Sequence, residues 1–295
     1  MSELFVLDAS FSTLRAESFT NDAVGRLVQN AVTGTGADTV SLDRTLVNSV
    51  DETTSQRLDS WKVTDQKHSG RCWEFAGLNV LRAKVIDELK VDDFQFSQNY
   101  IAFFDKLEKA NHTLSRAIAT ASRDASEEEV RSIMDYPSED GGWWFQFTDI
   151  VAKYGLVPSR AMPDTESAGN TAQMNQALAT VLRRAIGRIR EAATNSDPAE
   201  GSAHMEAVRN EALNAVWRIL AIHLGTPPTS FMWQYRDKDK NFHRKGTYTP
   251  LKYAHEIVPQ AFDPWVALAH DPREEHPVGR TYVHEHTPYM AVSYT

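Results

Sequence analysis

Apolar positions recur at helical spacing in several separate stretches of the chain. From Cys72 to Lys90, Leu78, Leu81, Val85 and Leu89 follow at steps of three and four, and only Gly77 interrupts a good helix-forming sequence. A second helix is predicted from Ser97 to about Ala110. Ser97 suits an N-cap, and Tyr100, Phe103, Phe104 and Leu107 supply the apolar stripe. Helical spacing resumes from Trp143 to Tyr154 after the turn-rich PSEDGG at 137–142, and Gly155 and Pro158 stop it. Between Thr171 and Gly225, Ala, Leu, Arg, Asn and Glu dominate, which predicts two or three helices interrupted near NSDPAEG at 195–201.

The two ends read differently. Residues 1–60 are polar without strong periodicity and are predicted to be an arm with short helices. After Pro227 and Pro228, the alternating Phe231, Trp233 and Tyr235, and later Thr281–Tyr282–Val283, predict strands. The chain stops in the strand-like PYMAVSYT with no closing element, so the expectation is a domain cut short.

Composition narrows the classes. With 41% apolar and 24% charged residues the chain is an ordinary globular sequence. A net charge of −9 disfavours general binding to nucleic-acid backbones. Arg183, Arg184, Arg188 and Arg190 form a local basic cluster whose helical spacing predicts a solvated face. The first residues carry acids and no basic stretch followed by an apolar run, so no secretory signal is read. No run of about 18 apolar residues suggests a membrane span. A single cysteine excludes an internal disulfide and fits a reducing compartment.

That cysteine carries the chemistry. Cys72 follows a glycine-containing turn and opens a predicted helix, whose free N–H groups and positive dipole end stabilise an anion such as a thiolate. Gln66, six residues earlier, can fold back beside the sulfur. With the Cys72 N–H it could donate to the oxyanion of a tetrahedral intermediate. Trp73 would cover the base of the site. A lone cysteine is more often a small buried hydrophobe. The combination of Gln66, Gly70, Cys72 and Trp73 at a helix start shifts the balance. Gly70-Arg71-Cys72-Trp73 keeps the glycine, cysteine and tryptophan of the papain-type motif, with Ser69 in place of its upstream cysteine.

The segment DQKHSGRCWEFAGLNVLR resembles the active-site segment of the bleomycin hydrolase and bacterial aminopeptidase C family. So do FQFSQNYIAFFDKLEKAN at 94–111, EDGGWWFQFTDIVAKYGLVPSRAMPDT at 139–165 and GTPPTSFMWQYRDKDKNF at 225–242. NTAQMNQALATVLRRAIGRIR at 170–190 is similar to the family's helical region, and HDPREEHPVGRTYVHEHTPY at 270–289 to a later segment. The resemblance implies an α+β, papain-like cysteine peptidase fold with a helical insertion and an incomplete second, β-barrel lobe. Its expected parts are an N-terminal arm over 1–60, a helical lobe with the nucleophile helix over 61–169, the insertion over 170–224 and the start of a β-rich lobe over 225–295.

The implied activity is removal of N-terminal residues from peptides, and hydrolysis of the bleomycin amide, by thiolate attack and an acyl-thioester. The implied setting is cytoplasmic and commonly a homohexamer acting on peptides; no cofactor, metal or membrane is read from the residues, and the acidic balance argues against nucleic acid although some relatives are associated with DNA binding. Cys72 carries over as nucleophile and Gln66 as oxyanion donor. Gly141 and Gly142 match the cleft-wall glycines, whose backbone can pair with substrate, and Trp73 is counted with them as substrate-binding.

A thiol peptidase also needs an imidazole. The resemblance puts that histidine, and the asparagine orienting it, after Thr295. The papain spacing points near His204 and His223, but both fall in the predicted helical insertion and read as surface or core histidines. His270, His276, His284 and His286 make a histidine-rich end without the further fixed ligands a metal needs. Two readings follow: the nucleophilic half of a cysteine aminopeptidase, or an inactive fragment or pseudo-peptidase acting as a binding or assembly subunit.

Overall fold

The computed structural model describes residues 8–265 and Gly279, apart from 52, 54 and 56–61. The chain divides into two compact units, residues 1–57 and 58–295. In the first, short helices span Ala9–Thr20 (α1), Ala23–Thr35 (α2), Ala37–Ser41 (α3) and Arg44–Ser49 (α4). Asp8, Asp22 and Asp43 cap three of them through their carboxylates, and none of the four buries a residue.

The second unit is built on Cys72–Leu89 (α5), which starts and ends where its apolar pattern does, with Lys90 closing it in the left-handed conformation. Its buried side includes Leu78, Leu81 and Val85. Gly77, which looked like a flaw in the helix, lies where a Cβ would stand 2.8 Å from the Phe147 ring. The missing side chain lets Trp144–Tyr154 (α8) pack closely against α5. Gln98–Ala119 (α6) also packs on α5. Ser97 caps it, its Oγ accepting from Tyr100 N at 3.0 Å. This helix runs about two turns past its predicted end, over a stretch that buries only Leu114 and Ala117.

Short helices Glu128–Asp135 (α7) and Glu166–Gly169 (α9) join these to a long pair, Ala172–Ala192 (α10) and Pro198–Leu224 (α11). The pair packs together and against α6 through Leu182, Ile186 and Ile189 on one side and Val208, Val216 and Leu220 on the other. The predicted break falls between them but is shorter than NSDPAEG: Asp197 caps α11, and Pro198 occupies its first turn, where no N–H is needed. Arg183 and Arg184 are exposed, as a solvated face expects, and three of the four arginines also make bonds at the surface. Arg183 donates to the carbonyls of Met134 and Asp135, Arg190 to those of Thr120 and Arg123, and Arg188 pairs with Glu211.

Phe231–Arg236 (β1) and Phe242–Tyr248 (β2) form an antiparallel hairpin, with Phe231 opposite Tyr248 and Arg236 opposite Phe242. The register shifts after Trp233, where Lys245 is the extra residue of a bulge. Pro250–Ile257 (α12) follows and packs on α8. The strand predicted at Thr281–Val283 lies outside the described residues.

Candidate active site

Cys72 is the first residue of α5 and is exposed. Arg71 takes the N-cap position without giving the helix a side-chain hydrogen bond, so the opening N–H groups keep no side-chain acceptor from it. Its guanidinium is committed elsewhere. Arg71 is buried, donates to both carboxylate oxygens of Asp164 at 3.1 Å each, and donates through Nε to Ser69 Oγ at 3.0 Å. Ser69 Oγ in turn donates to the Gln66 carbonyl at 2.6 Å. This chain ties the loop that carries Gln66 to the start of the Cys72 helix by hydrogen bonds.

Gln66 and Cys72 line one open cleft of about 620 Å³, together with Thr64, Phe75, Ala76 and Asn79. Asn79 Nδ2 donates to Thr64 Oγ1 at 3.1 Å, which fastens the loop's far end to α5. A second hollow, of about 400 Å³ beside Phe94, Arg160 and Trp233, is lined by neither thiol nor imidazole. The chemistry is therefore read at Cys72.

Trp73, Gly141 and Gly142 form a second group, outside the residues that line the cleft of Cys72 and Gln66. The Trp73 indole N–H donates to the Asp140 carbonyl at 2.9 Å. Gly142 lies against the indole face: a Cβ there would stand 2.4 Å from Cε2, so glycine is needed for the close approach. Gly141 is exposed, and a Cβ on it would meet nothing within 4 Å.

Beneath these residues lies a buried set of charges that sequence reasoning missed. Lys106 and Lys109, on α6, both point at the 139–141 turn. Lys106 Nζ donates to Asp140 Oδ1 at 2.5 Å and to Glu139 O at 2.7 Å. Lys109 Nζ donates to Asp105 Oδ2 at 2.7 Å and to Gly141 O at 2.5 Å. Asp140 also accepts from Thr171 Oγ1, Asn175 Nδ2 and Gly70 N, at 2.9, 2.8 and 3.3 Å. Burial alone would raise the Asp140 pKa, but the Lys106 charge and these donors outweigh it and hold the carboxyl well below the usual range. Burial, and next the nearby Asp105, push Glu74 well above the ordinary carboxylate value. These charged residues lie between the positions of the α6 apolar stripe, so no local signal marked them as buried.

No described histidine lines the cleft with Cys72. His204 is exposed on α11, and His223 Nδ1 lies 2.8 Å from Ser167 Oγ. His243 pairs with Asp237 on the hairpin, Nε2 to Oδ2 2.9 Å. His270, His276, His284 and His286 fall outside the described residues. Among the described residues no group of three or more His, Cys, Asp or Glu side chains converges as a metal site would require.

Residues 7–292 match the family model described as Peptidase C1-like family. The chain belongs to that family. Within it, human bleomycin hydrolase is 35% identical over 232 residues, 77% of this chain and 50% of the human protein. Aminopeptidase C of Listeria monocytogenes is 36% identical over 228 residues, again 77% of this chain and 50% of the relative. Aminopeptidase W of Lactobacillus delbrueckii subsp. lactis is 34% identical over 260 residues, 88% of this chain and 59% of the relative. The chain thus spans only about half the length of the first two relatives. The crystal structure of PepW from Lactobacillus rhamnosis superposes with a TM-score of 0.75 at 32% identity, covering 86% of this chain and 56% of PepW. The fold is the papain-like α+β fold expected from sequence.

Proposed function

We propose that this Peptidase C1-like chain supplies the nucleophilic half of a cysteine aminopeptidase site. The observation that carries the reading is an exposed Cys72 at the start of α5, sharing an open cleft with Gln66. The Cys72 thiolate attacks the carbonyl carbon of the first peptide bond, and Gln66 with the Cys72 N–H donates to the oxygen that becomes negative. The C–N bond then breaks, the leaving amine takes a proton, and water hydrolyses the acyl-thioester. Proton transfer requires an imidazole from outside the described residues. Trp73, Gly141 and Gly142 form the wall against which peptide lies.

The names of the relatives, bleomycin hydrolase and aminopeptidases C and W, support peptides with a free N-terminus as substrates. A cytoplasmic home and a homo-oligomer, with a hexamer as the family's form, belong to the same reading. No described helix is long and apolar enough to cross a membrane.

The test is release of aminocoumarin from alanyl- and arginyl-aminocoumarin amides by the full chain. Turnover that disappears in Cys72→Ser supports the proposal. Peptide binding with a Cys72 that is inert to alkylation would favour the alternative of a binding or assembly subunit, which fits a cleft lined by no described histidine.

A further inference from the structure

The turn carrying Gly141 and Gly142 is fastened by two lysines of α6, and one of them, Lys109, reaches the Gly141 carbonyl. Lys109 is 10% exposed, and its ammonium has three hydrogens to give. Three acceptors lie within reach: Asp105 Oδ2 at 2.7 Å, Glu139 O at 3.2 Å and Gly141 O at 2.5 Å. The same nitrogen lies 5.3 Å from the centroid of the Trp73 ring, within the range of a cation–π attraction. Lys109 therefore touches both parts of the wall while its hydrogens are fully committed within the protein.

In a trans peptide the carbonyl and the N–H of one unit point to opposite sides. Fastening Gly141 O to Lys109 turns the Gly142 N–H, which belongs to the same unit, away from the lysine. Among the described residues nothing in the chain accepts from that N–H. Gly142 is also held laterally, because its Cα lies against the Trp73 indole. The donor direction is thus set by two contacts, the Lys109 bond to the Gly141 carbonyl and the packing of Gly142 on Trp73.

We propose that Lys109 is a positioning residue for peptide: by holding the Gly141 carbonyl it presents the Gly142 N–H as a donor to a main-chain carbonyl of the substrate. This rests on the reading of Cys72 as the nucleophile beside a peptide-binding wall. A merely structural lysine would stabilise the fold without affecting how peptide is distinguished from other electrophiles.

The experiment labels Cys72 in the full chain with methyl vinyl sulfone, which has no peptide part, and with a dipeptidyl vinyl sulfone. The ratio of the two rates measures what the peptide contributes. Lys109→Met lowers that ratio at least ten-fold and leaves the methyl vinyl sulfone rate within two-fold, and Lys109→Arg restores most of the ratio. An unchanged ratio in Lys109→Met overturns the inference. A ratio near one in the unsubstituted chain also overturns it, and aminocoumarin turnover lost in Cys72→Ser would then leave the aminopeptidase reading standing. If Lys109→Met does not fold, the unsubstituted chain is labelled with a dipeptidyl vinyl sulfone whose accepting carbonyl is reduced to methylene. A ten-fold fall in rate supports the inference, and no fall overturns it.

Discussion

Asp140→Asn removes one charge from the anchor of the wall and nearly nothing else. The carboxylate holds Lys106 Nζ at 2.5 Å and three further donors on Asn175, Thr171 and Gly70. The Lys106 side chain is 4% exposed and that of Asp140 21%, so water screens the pair weakly. The substitution leaves a buried ammonium without its counter-charge and makes one acceptor a donor facing other donors. Removing one partner of a buried ion pair costs about 3–5 kcal/mol, and the partial exposure of Asp140 points to about 3 kcal/mol. With a urea m-value of about 2–3 kcal/mol/M, the midpoint falls by roughly 1 M.

The pH dependence has a defined sign. The folded carboxyl lies below its ordinary value of 3.8, so its stabilisation is complete above that value and is lost as pH falls toward the depressed one. The gap between the parent chain and Asp140→Asn is therefore constant from about pH 8 to pH 5 and begins to close only below about pH 4. Urea titrations followed by tryptophan fluorescence measure both effects. A loss under about 0.5 kcal/mol at pH 7, the size of an exposed pair, would refute the reasoning, as would a gap already closing between pH 8 and 5.

Other perturbations separate shape, capping and ion pairing. Gly142→Ala drives a Cβ into the Trp73 indole and costs about 1–3 kcal/mol, whereas Gly141→Ala stays within about 0.5 kcal/mol; equal effects in thermal unfolding would contradict the assigned packing. Ser97→Ala removes a cap that is 2% exposed and also donates to Met162 O, and should lower stability by about 2 kcal/mol in urea titration. Arg71→Lys cannot reproduce the parallel pair with Asp164 and the bond to Ser69. It should cost about 2 kcal/mol and speed limited proteolysis of the 66–71 loop; an unchanged cleavage rate would mean the loop is held otherwise.

Much of the helical framework was legible because its signals are local. The steps of Leu78, Leu81 and Val85, the Ser97 cap and the Gly155 stop each act within a turn or two of the residue concerned. What was illegible depends on distant partners. The pairs Arg71–Asp164 and Lys106–Asp140 join residues far apart in sequence, and no periodicity announces them. Beyond Ala110, α6 buries only Leu114 and Ala117, too sparse a repeat to extend the predicted helix. Helix α7 was missed because its buried face is only Val130 and Ile133, too short a repeat to stand out. Helix α12 was missed because Pro250 reads as a breaker until Thr249 is seen to cap it. At the site, the motif around Cys72 was readable as chemistry, while the lysines beneath the wall required the fold.

The most direct test of the account is trapping the acyl group on Cys72. The full chain is mixed with alanine p-nitrophenyl ester, whose leaving group needs no protonation by an imidazole, and its intact mass is followed with time. The account predicts one alanyl group per chain, mapped to Cys72, absent from Cys72→Ser and formed about 10²-fold more slowly in Gln66→Ala. Acylation no faster than that of the same chain unfolded in urea would contradict it.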